Sequence, residues 1–393
     1  MLLNQQIHGF LERSSWIRKM FEAGMELKKR YGEDNVFDLS LGNPDLPPPP
    51  SVQKALEEIT KEAGSPYVFG YMPNAGVPST REKLSRYISR EQGVEVASSH
   101  VMITCGAAGA LNCLFRCILE KGDKVVCIAP YFVEYAFYLS NHGGEPLVVQ
   151  SREDFSLDID AIKNSLEPSV RAVIINSPNN PTGQVYTAEE LRALGEVMEE
   201  FSKATGRRLF LISDEPYRFL SYDGIEIPSV FDCYKDSIVV SSFSKNISLA
   251  GERIGYVALN PQMEGAEELM NGLIFANRIL GYVNAPIIGQ KILERVLGDQ
   301  VDVSVYERRR EIMAQVLKDA GYSFIMPKGG FYFFPRSPIR DEIKFIRILQ
   351  EERILAVPGS GFGRASHFRL CFSVPEKVIE GSARGFKRAM ERI

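Results

Sequence analysis

Residues 238–245 read Ile238-Val239-Val240-Ser241-Ser242-Phe243-Ser244-Lys245, a short apolar run that stops abruptly in small polar residues and a lysine. A run so short and so rich in β-branched residues fits a strand covered on both faces, with a loop at its carboxyl end. The same grammar recurs upstream at residues 101–104, 125–128, 147–149, 172–175 and 209–212, alternating with helical patterns from residue 51 to about 259. That alternation predicts an α/β fold class, a mostly parallel sheet sandwiched by helices. Ligand-binding residues then belong at the carboxyl ends of the strands.

Outward from this region the pattern changes on both sides. Before it, a helical pattern from about residue 15 to 31 places Ile17, Met20, Phe21, Met25 and Leu27 near one face. It ends at Leu41-Gly42-Asn43-Pro44-Asp45-Leu46 and the four prolines 47–50, which predict an extended or turn-like crossing. After Pro286 a long helix is expected from about 287 to 320, with an interruption near Gly298, followed by short strands at 331–334 and 368–372. This predicts a second, smaller α+β domain.

At 393 residues the chain exceeds the size at which one core stops growing, which fits two domains. With 46 basic and 50 acidic residues, a formal net charge of −4 and no long basic block, nucleic acid is not an expected partner and small molecules are. No apolar run reaches the length of a membrane span, and the first ten residues lack the features of a signal peptide, so a cytoplasmic protein is expected. The six cysteines form no CxxC pair and the four histidines are scattered, which predicts reduced, packed thiols and no metal site.

The loops after the strands carry the chemistry. Residues 105–111, Cys-Gly-Ala-Ala-Gly-Ala-Leu, open a helix whose free amides suit an anion, although small residues there also serve plain packing. Asn176-Ser177-Pro178-Asn179-Asn180-Pro181-Thr182-Gly183 is a dense turn, and Ser213-Asp214-Glu215-Pro216-Tyr217 sets an acid at a strand end, where helix capping would also explain it. Lys245 is followed eight residues later by Arg253, in Gly251-Glu252-Arg253-Ile254-Gly255. A lone lysine is usually a solvated surface group.

In this order the four segments resemble the fold type I pyridoxal-phosphate aminotransferases of class I and II. The likeness covers nearly the whole chain and includes Gly42-Asn43-Pro44-Asp45, Tyr71-Met72-Pro73-Asn74-Ala75-Gly76 and Phe368-Arg369-Leu370. The resemblance implies pyridoxal 5'-phosphate as cofactor, Lys245 as the Schiff-base lysine and Asp214 as the partner of the pyridine nitrogen. It implies that Asn180 and Tyr217 bind the cofactor's phenolic oxygen. Phosphate contacts would come from Ser242, Ser244, Arg253 and the helix start at Gly106, Ala107 and Ala108. Either Phe132 or Tyr131 would stack on the ring. Arg369 would clamp the substrate α-carboxylate, with Gly42 and Asn180 beside it. Tyr71 would reach the phosphate of a partner subunit, and the Asn284 segment would approach the neighbouring site, which together imply a homodimer with shared sites. The same resemblance divides the chain into an N-terminal arm with part of the small domain (1–50), a large cofactor-binding domain (51–285) and a small domain (286–393).

The implied reaction is transfer of an amino group between an L-amino acid and a 2-oxo acid by a ping-pong mechanism, with aspartate and glutamate among the candidate substrates. Some relatives read a distal carboxylate from a position matched here by Ala108, others with an arginine of the neighbouring subunit at a position matched by Ile279, so Arg278, one residue away, and Arg18 are the remaining candidates. The same scaffold also serves carbon-sulfur β-lyases, amino-acid decarboxylases and aminocyclopropane carboxylate synthases. A regulator that binds without turnover is disfavoured, since the first fifty residues show no helix-turn-helix.

Overall fold

The computed structural model describes residues 2–13 and 16–393, the side chains of residues 12–21 excepted. Seven strands form the main sheet: β1 (Val101–Thr104), β2 (Lys124–Ala129), β3 (Glu145–Gln150), β4 (Val170–Asn176), β5 (Phe210–Asp214), β6 (Ser237–Ser242) and β7 (Gly255–Leu259). Their spatial order is β1-β7-β6-β5-β4-β2-β3. Strands β2 to β6 pair in parallel, and β7 lies antiparallel between β6 and β1. The six strands expected from the sequence are all present. β7 was not expected. It follows β6 through residues 243–254, which hold a single 3-10 turn, Ala250–Glu252, and no crossover α-helix, a connection that suits an antiparallel neighbour.

Both faces of the sheet are covered, as its apolar runs require. Val125, Cys127, Ile174, Ile212 and Val240 point to one side and pack against Leu111, Leu114, Met270 and Leu273 from the helices Gly106–Ile118 and Ala266–Ile279. Val126, Ile128, Val173, Ile175, Leu211 and Val239 point to the other side, against Leu84, Ile88, Leu191, Leu194 and Ile292. This two-residue alternation within unbroken apolar runs is the mark of a strand buried on both faces.

A second core is aromatic. Phe331, Tyr332, Phe333, Phe334, Phe345, Phe368 and Phe386 pack together around a three-stranded antiparallel sheet of Val357–Pro358, Phe368–Cys371 and Tyr332–Phe333. Phe37–Asp38 pairs in parallel with Ile354–Leu355, so the N-terminal segment joins this second unit. The expected helix from 287 to 320 is two helices, Ile287–Val296 and Val303–Asp319. They are separated by Gly298, at φ +102°, and by Asp302, whose side chain accepts a hydrogen bond from the Ser304 amide. Ile292, Leu293 and Val296 belong to the core of the main sheet. The proline run is not wholly extended, since Pro50 begins the helix Pro50–Glu62, a position that needs no amide donor.

Candidate active site

The carboxyl ends of the central strands open on one cavity of about 410 Å³. β4 ends at Asn176 directly beside Asp214, the last residue of β5, and β6 ends at Ser242. Gly42, Ala107, Ala108, Phe132, Asn180, Asp214, Tyr217, Ser242, Ser244, Lys245, Arg253 and Arg369 all line the cavity. Residues scattered over more than 300 positions of sequence thus meet, because the strands of the main sheet deliver their loops to one edge and the second unit brings Gly42 and Arg369 over it.

At one end stands the start of the helix Gly106–Ile118, whose first amides have no partner within the helix. Gly106 has φ +71°, and a Cβ there would lie 2.7 Å from Arg253 Nη2, so glycine is what lets the guanidinium approach the helix start. Arg253 is itself held at φ +51° and donates from Nη1 to the Ala250 carbonyl at 2.9 Å. With Ser242 and Ser244 beside it, this end suits an anion with several oxygens.

Asp214 is 5% exposed, and its two carboxylate oxygens differ. Oδ2 accepts a hydrogen bond from the Tyr135 hydroxyl at 2.5 Å, whereas Oδ1 is buried without a partner. Burial pushes the carboxyl up to about 7, with the Tyr135 hydrogen bond pulling it down and Glu215 adding a further rise. An orphaned acceptor of this kind fits a ring N–H carrying positive charge, as a pyridinium would supply. Its backbone is fixed by Asn176, which donates from Nδ2 to the Asp214 carbonyl at 2.7 Å and accepts the Asn180 amide at 2.7 Å. The Tyr217 and Tyr332 hydroxyls share a hydrogen bond at 2.9 Å.

Lys245 Nζ donates to the Gly42 carbonyl at 2.6 Å and lies 5.7 Å from the centre of the Phe331 ring. Burial lowers its pKa from 10.5 to about 8; nearby Cys371 opposes the fall, while Arg369 and Arg253 add to it. For the protein without cofactor, the charged amine opposes folding below about pH 8, and the penalty is relieved as pH rises from about 8 to 10.5. Lys245→Met is therefore expected to raise the melting temperature of the cofactor-free protein at pH 7. That advantage should shrink at higher pH, and an advantage that grows instead would contradict the burial of this amine.

Arg369 is 2% exposed. It donates from Nη1 to Asn180 Oδ1 at 3.0 Å and from Nη2 to the Ser40 carbonyl at 2.6 Å, while Nε has no partner. The rings of Tyr332 and Phe362 lie 4.8 and 4.9 Å from its guanidinium carbon. Among the described residues no carboxylate pairs with it, an arrangement that suits an anionic ligand. Arg369→Ala is expected to raise the substrate KM by roughly 10- to 100-fold, the loss of one charge-assisted contact, and unchanged substrate saturation would refute the clamp. Gly42 faces the same place, where any Cβ would collide with the Tyr332 hydroxyl.

Other expected residues lie elsewhere. Tyr131 does not line the cavity; its ring packs against Gly363 and Tyr135, which leaves Phe132 as the aromatic on the wall. Tyr71 is 96% exposed outside the cavity, on a segment pinned by Asn284, which donates from Nδ2 to the Met72 and Pro73 carbonyls. Arg278 and Ile279 are exposed at the end of the helix Ala266–Ile279, away from the cavity. The Arg18 side chain lies outside the described residues. Sequence reasoning missed Glu134, Tyr138 and Tyr332 on the cavity wall, and Tyr135 behind Asp214. Tyr135 and Tyr138 follow Phe132 by three and six residues, a helical spacing that offered a signal.

Residues 34–385 match the family described as aminotransferase class I and II. An aspartate aminotransferase of Bacillus subtilis is 30% identical over 93% of each chain, and an aspartate/prephenate aminotransferase of Thermus thermophilus is 29% identical over 93% of each. Among solved structures, an aminotransferase of Eubacterium rectale superposes with a TM-score of 0.96 at 34% identity, covering 100% of this chain and 99% of its own. An aspartate aminotransferase of Thermus thermophilus superposes with a TM-score of 0.88 at 26% identity, covering 99% and 100%.

Proposed function

The chain belongs to the class I and II aminotransferases, and on that premise we propose that it uses pyridoxal 5'-phosphate, held covalently by Lys245, to move an amino group between an L-amino acid and a 2-oxo acid in two half-reactions at one site. The observation that carries the cofactor reading is the buried, unpartnered Asp214 Oδ1 in the same cavity as a lysine of lowered pKa. The bound cofactor supplies an electron sink for the carbanion left when the substrate α-proton departs.

The side chains divide the remaining work. Arg253, Ser242, Ser244 and the helix start hold the phosphate, and Asp214 Oδ1 keeps the proton on the ring nitrogen. Asn180 and Tyr217 offer donors to the phenolic oxygen, and Phe132 bounds one face of the ring. Arg369 binds the α-carboxylate through Nη1 and Nε, aided by Asn180 and Gly42. Lys245 Nζ, with a pKa near neutrality, takes the α-proton and returns it.

A homodimer and a cytoplasmic location belong to the same reading. Tyr71 is exposed on a segment that Asn284 and Asn277 hold in place, which suits a residue presented to a partner subunit rather than a mobile loop. No helix among the described residues is long and apolar enough to cross a membrane. The relatives are named for aspartate, prephenate and aromatic substrates, a spread too wide to transfer one of them. A β-lyase, decarboxylase or cyclopropane-forming reaction is not favoured, since the similar proteins are named aminotransferases.

The test is a half-reaction. The purified protein is given one amino acid at a time and the products are separated. Formation of the matching 2-oxo acid, with the amino group retained on the cofactor, supports the proposal. Release of pyruvate and ammonia, or of carbon dioxide, would replace it with a lyase or decarboxylase.

A further inference from the structure

The charged side chains lining the cavity are Glu134, Asp214, Lys245, Arg253 and Arg369. In the reading above Arg253 meets the phosphate, Asp214 the ring nitrogen, Lys245 the attachment point and α-proton, and Arg369 the α-carboxylate. Glu134 is left over. It begins the helix Glu134–Ser140, two residues after Phe132, with Tyr138 one turn further on the same wall. It makes no capping hydrogen bond, no ion pair reaches it among the described residues, and burial alone raises its pKa. The cofactor brings it no cation, and the substrate's α-amino group is taken up by the cofactor.

A partly buried carboxylate beside a binding cavity attracts a cation and repels a second carboxylate, and low local polarity strengthens both effects. Among the described side chains of this chain, no lysine or arginine pairs with Glu134. Ala108 and Leu111, on the same wall, are neutral. Resting on the cofactor reading, we propose that Glu134 recognises the substrate side chain, and that the preferred amino donors carry an ammonium or guanidinium group rather than the second carboxylate of aspartate or glutamate. A first-turn acid also complements its helix dipole. That role alone would change stability when Glu134 is replaced, and would leave the choice among substrates untouched.

The test measures kcat/KM of the half-reaction for L-ornithine, L-arginine, L-glutamate and L-alanine, in the wild-type holoenzyme, Glu134→Gln and Glu134→Lys. Wild type is expected to favour ornithine or arginine over glutamate by at least roughly tenfold. Glu134→Gln should lower the ornithine-to-alanine ratio by roughly 10- to 100-fold, the value of one charge-assisted contact. Glu134→Lys should move the preference toward glutamate. A wild type faster with glutamate than with both cationic donors, or a ratio unchanged in Glu134→Gln, would overturn the assignment. Conversion of none of the four would also overturn the assignment, whereas the cofactor reading is checked apart from it by the visible absorption of the holoenzyme.

Discussion

Replacing Lys245 with alanine is expected to remove the visible absorption of the purified protein and to slow the amino-acid half-reaction by at least about 10,000-fold, because covalent attachment and proton transfer both depend on this amine. It is the lysine among the residues lining the cavity, so no neighbouring side chain can take its place. Its surroundings are suited to the task. The hydrogen bond to the Gly42 carbonyl aims Nζ across the cavity, and burial brings its pKa to about 8, so that roughly a tenth is neutral at pH 7. A surface lysine near 10.5 would be neutral in less than about one part in a thousand there. The measurement is rapid mixing of the variant with a substrate amino acid. A residual rate above a hundredth of wild type would show that Lys245 is not the group that moves the proton.

Asp214→Ala should have the next largest effect, slowing the half-reaction by roughly 100- to 10,000-fold while still allowing the cofactor to attach, because the electron sink loses the carboxylate that keeps its ring nitrogen protonated. A variant with an unchanged half-reaction rate would refute this role. The same carboxylate burdens the empty protein. With its pKa raised from 3.8 to about 7, it lowers stability progressively over that interval and fully above it. Asp214→Asn should therefore melt at a higher temperature than wild type at pH 8 when both lack cofactor, and the difference should vanish near pH 4. Function and stability pull in opposite directions at this residue, which is expected where a buried charge awaits a ligand.

The large sheet was readable in the sequence because its central parallel strands are closed apolar runs covered on both faces, while the edge strand β3, with Val148 exposed, still shows Leu147-Val148-Val149. β7 escaped notice because its run, Tyr256-Val257-Ala258-Leu259, follows a polar loop without an intervening helix. The paired strands Phe37–Asp38 and Ile354–Leu355 span two residues each, too short for any periodicity to show. Lys245, Asp214 and Arg253 were legible as companions in order along the chain, since parallel topology converts that order into proximity. Glu134 and Tyr332 were not. Their importance lies in which way a side chain faces, and Tyr332 is one aromatic in a run of four, Phe331 to Phe334, of which it lines the cavity.

The most direct test of the central claim is to reduce the purified holoenzyme with borohydride, digest it and identify the peptide that retains the pyridoxyl group. The account predicts a single modified lysine, Lys245, between Ser244 and Asn246. Modification of any other lysine, or protein that retains no pyridoxyl group after reduction, would contradict it.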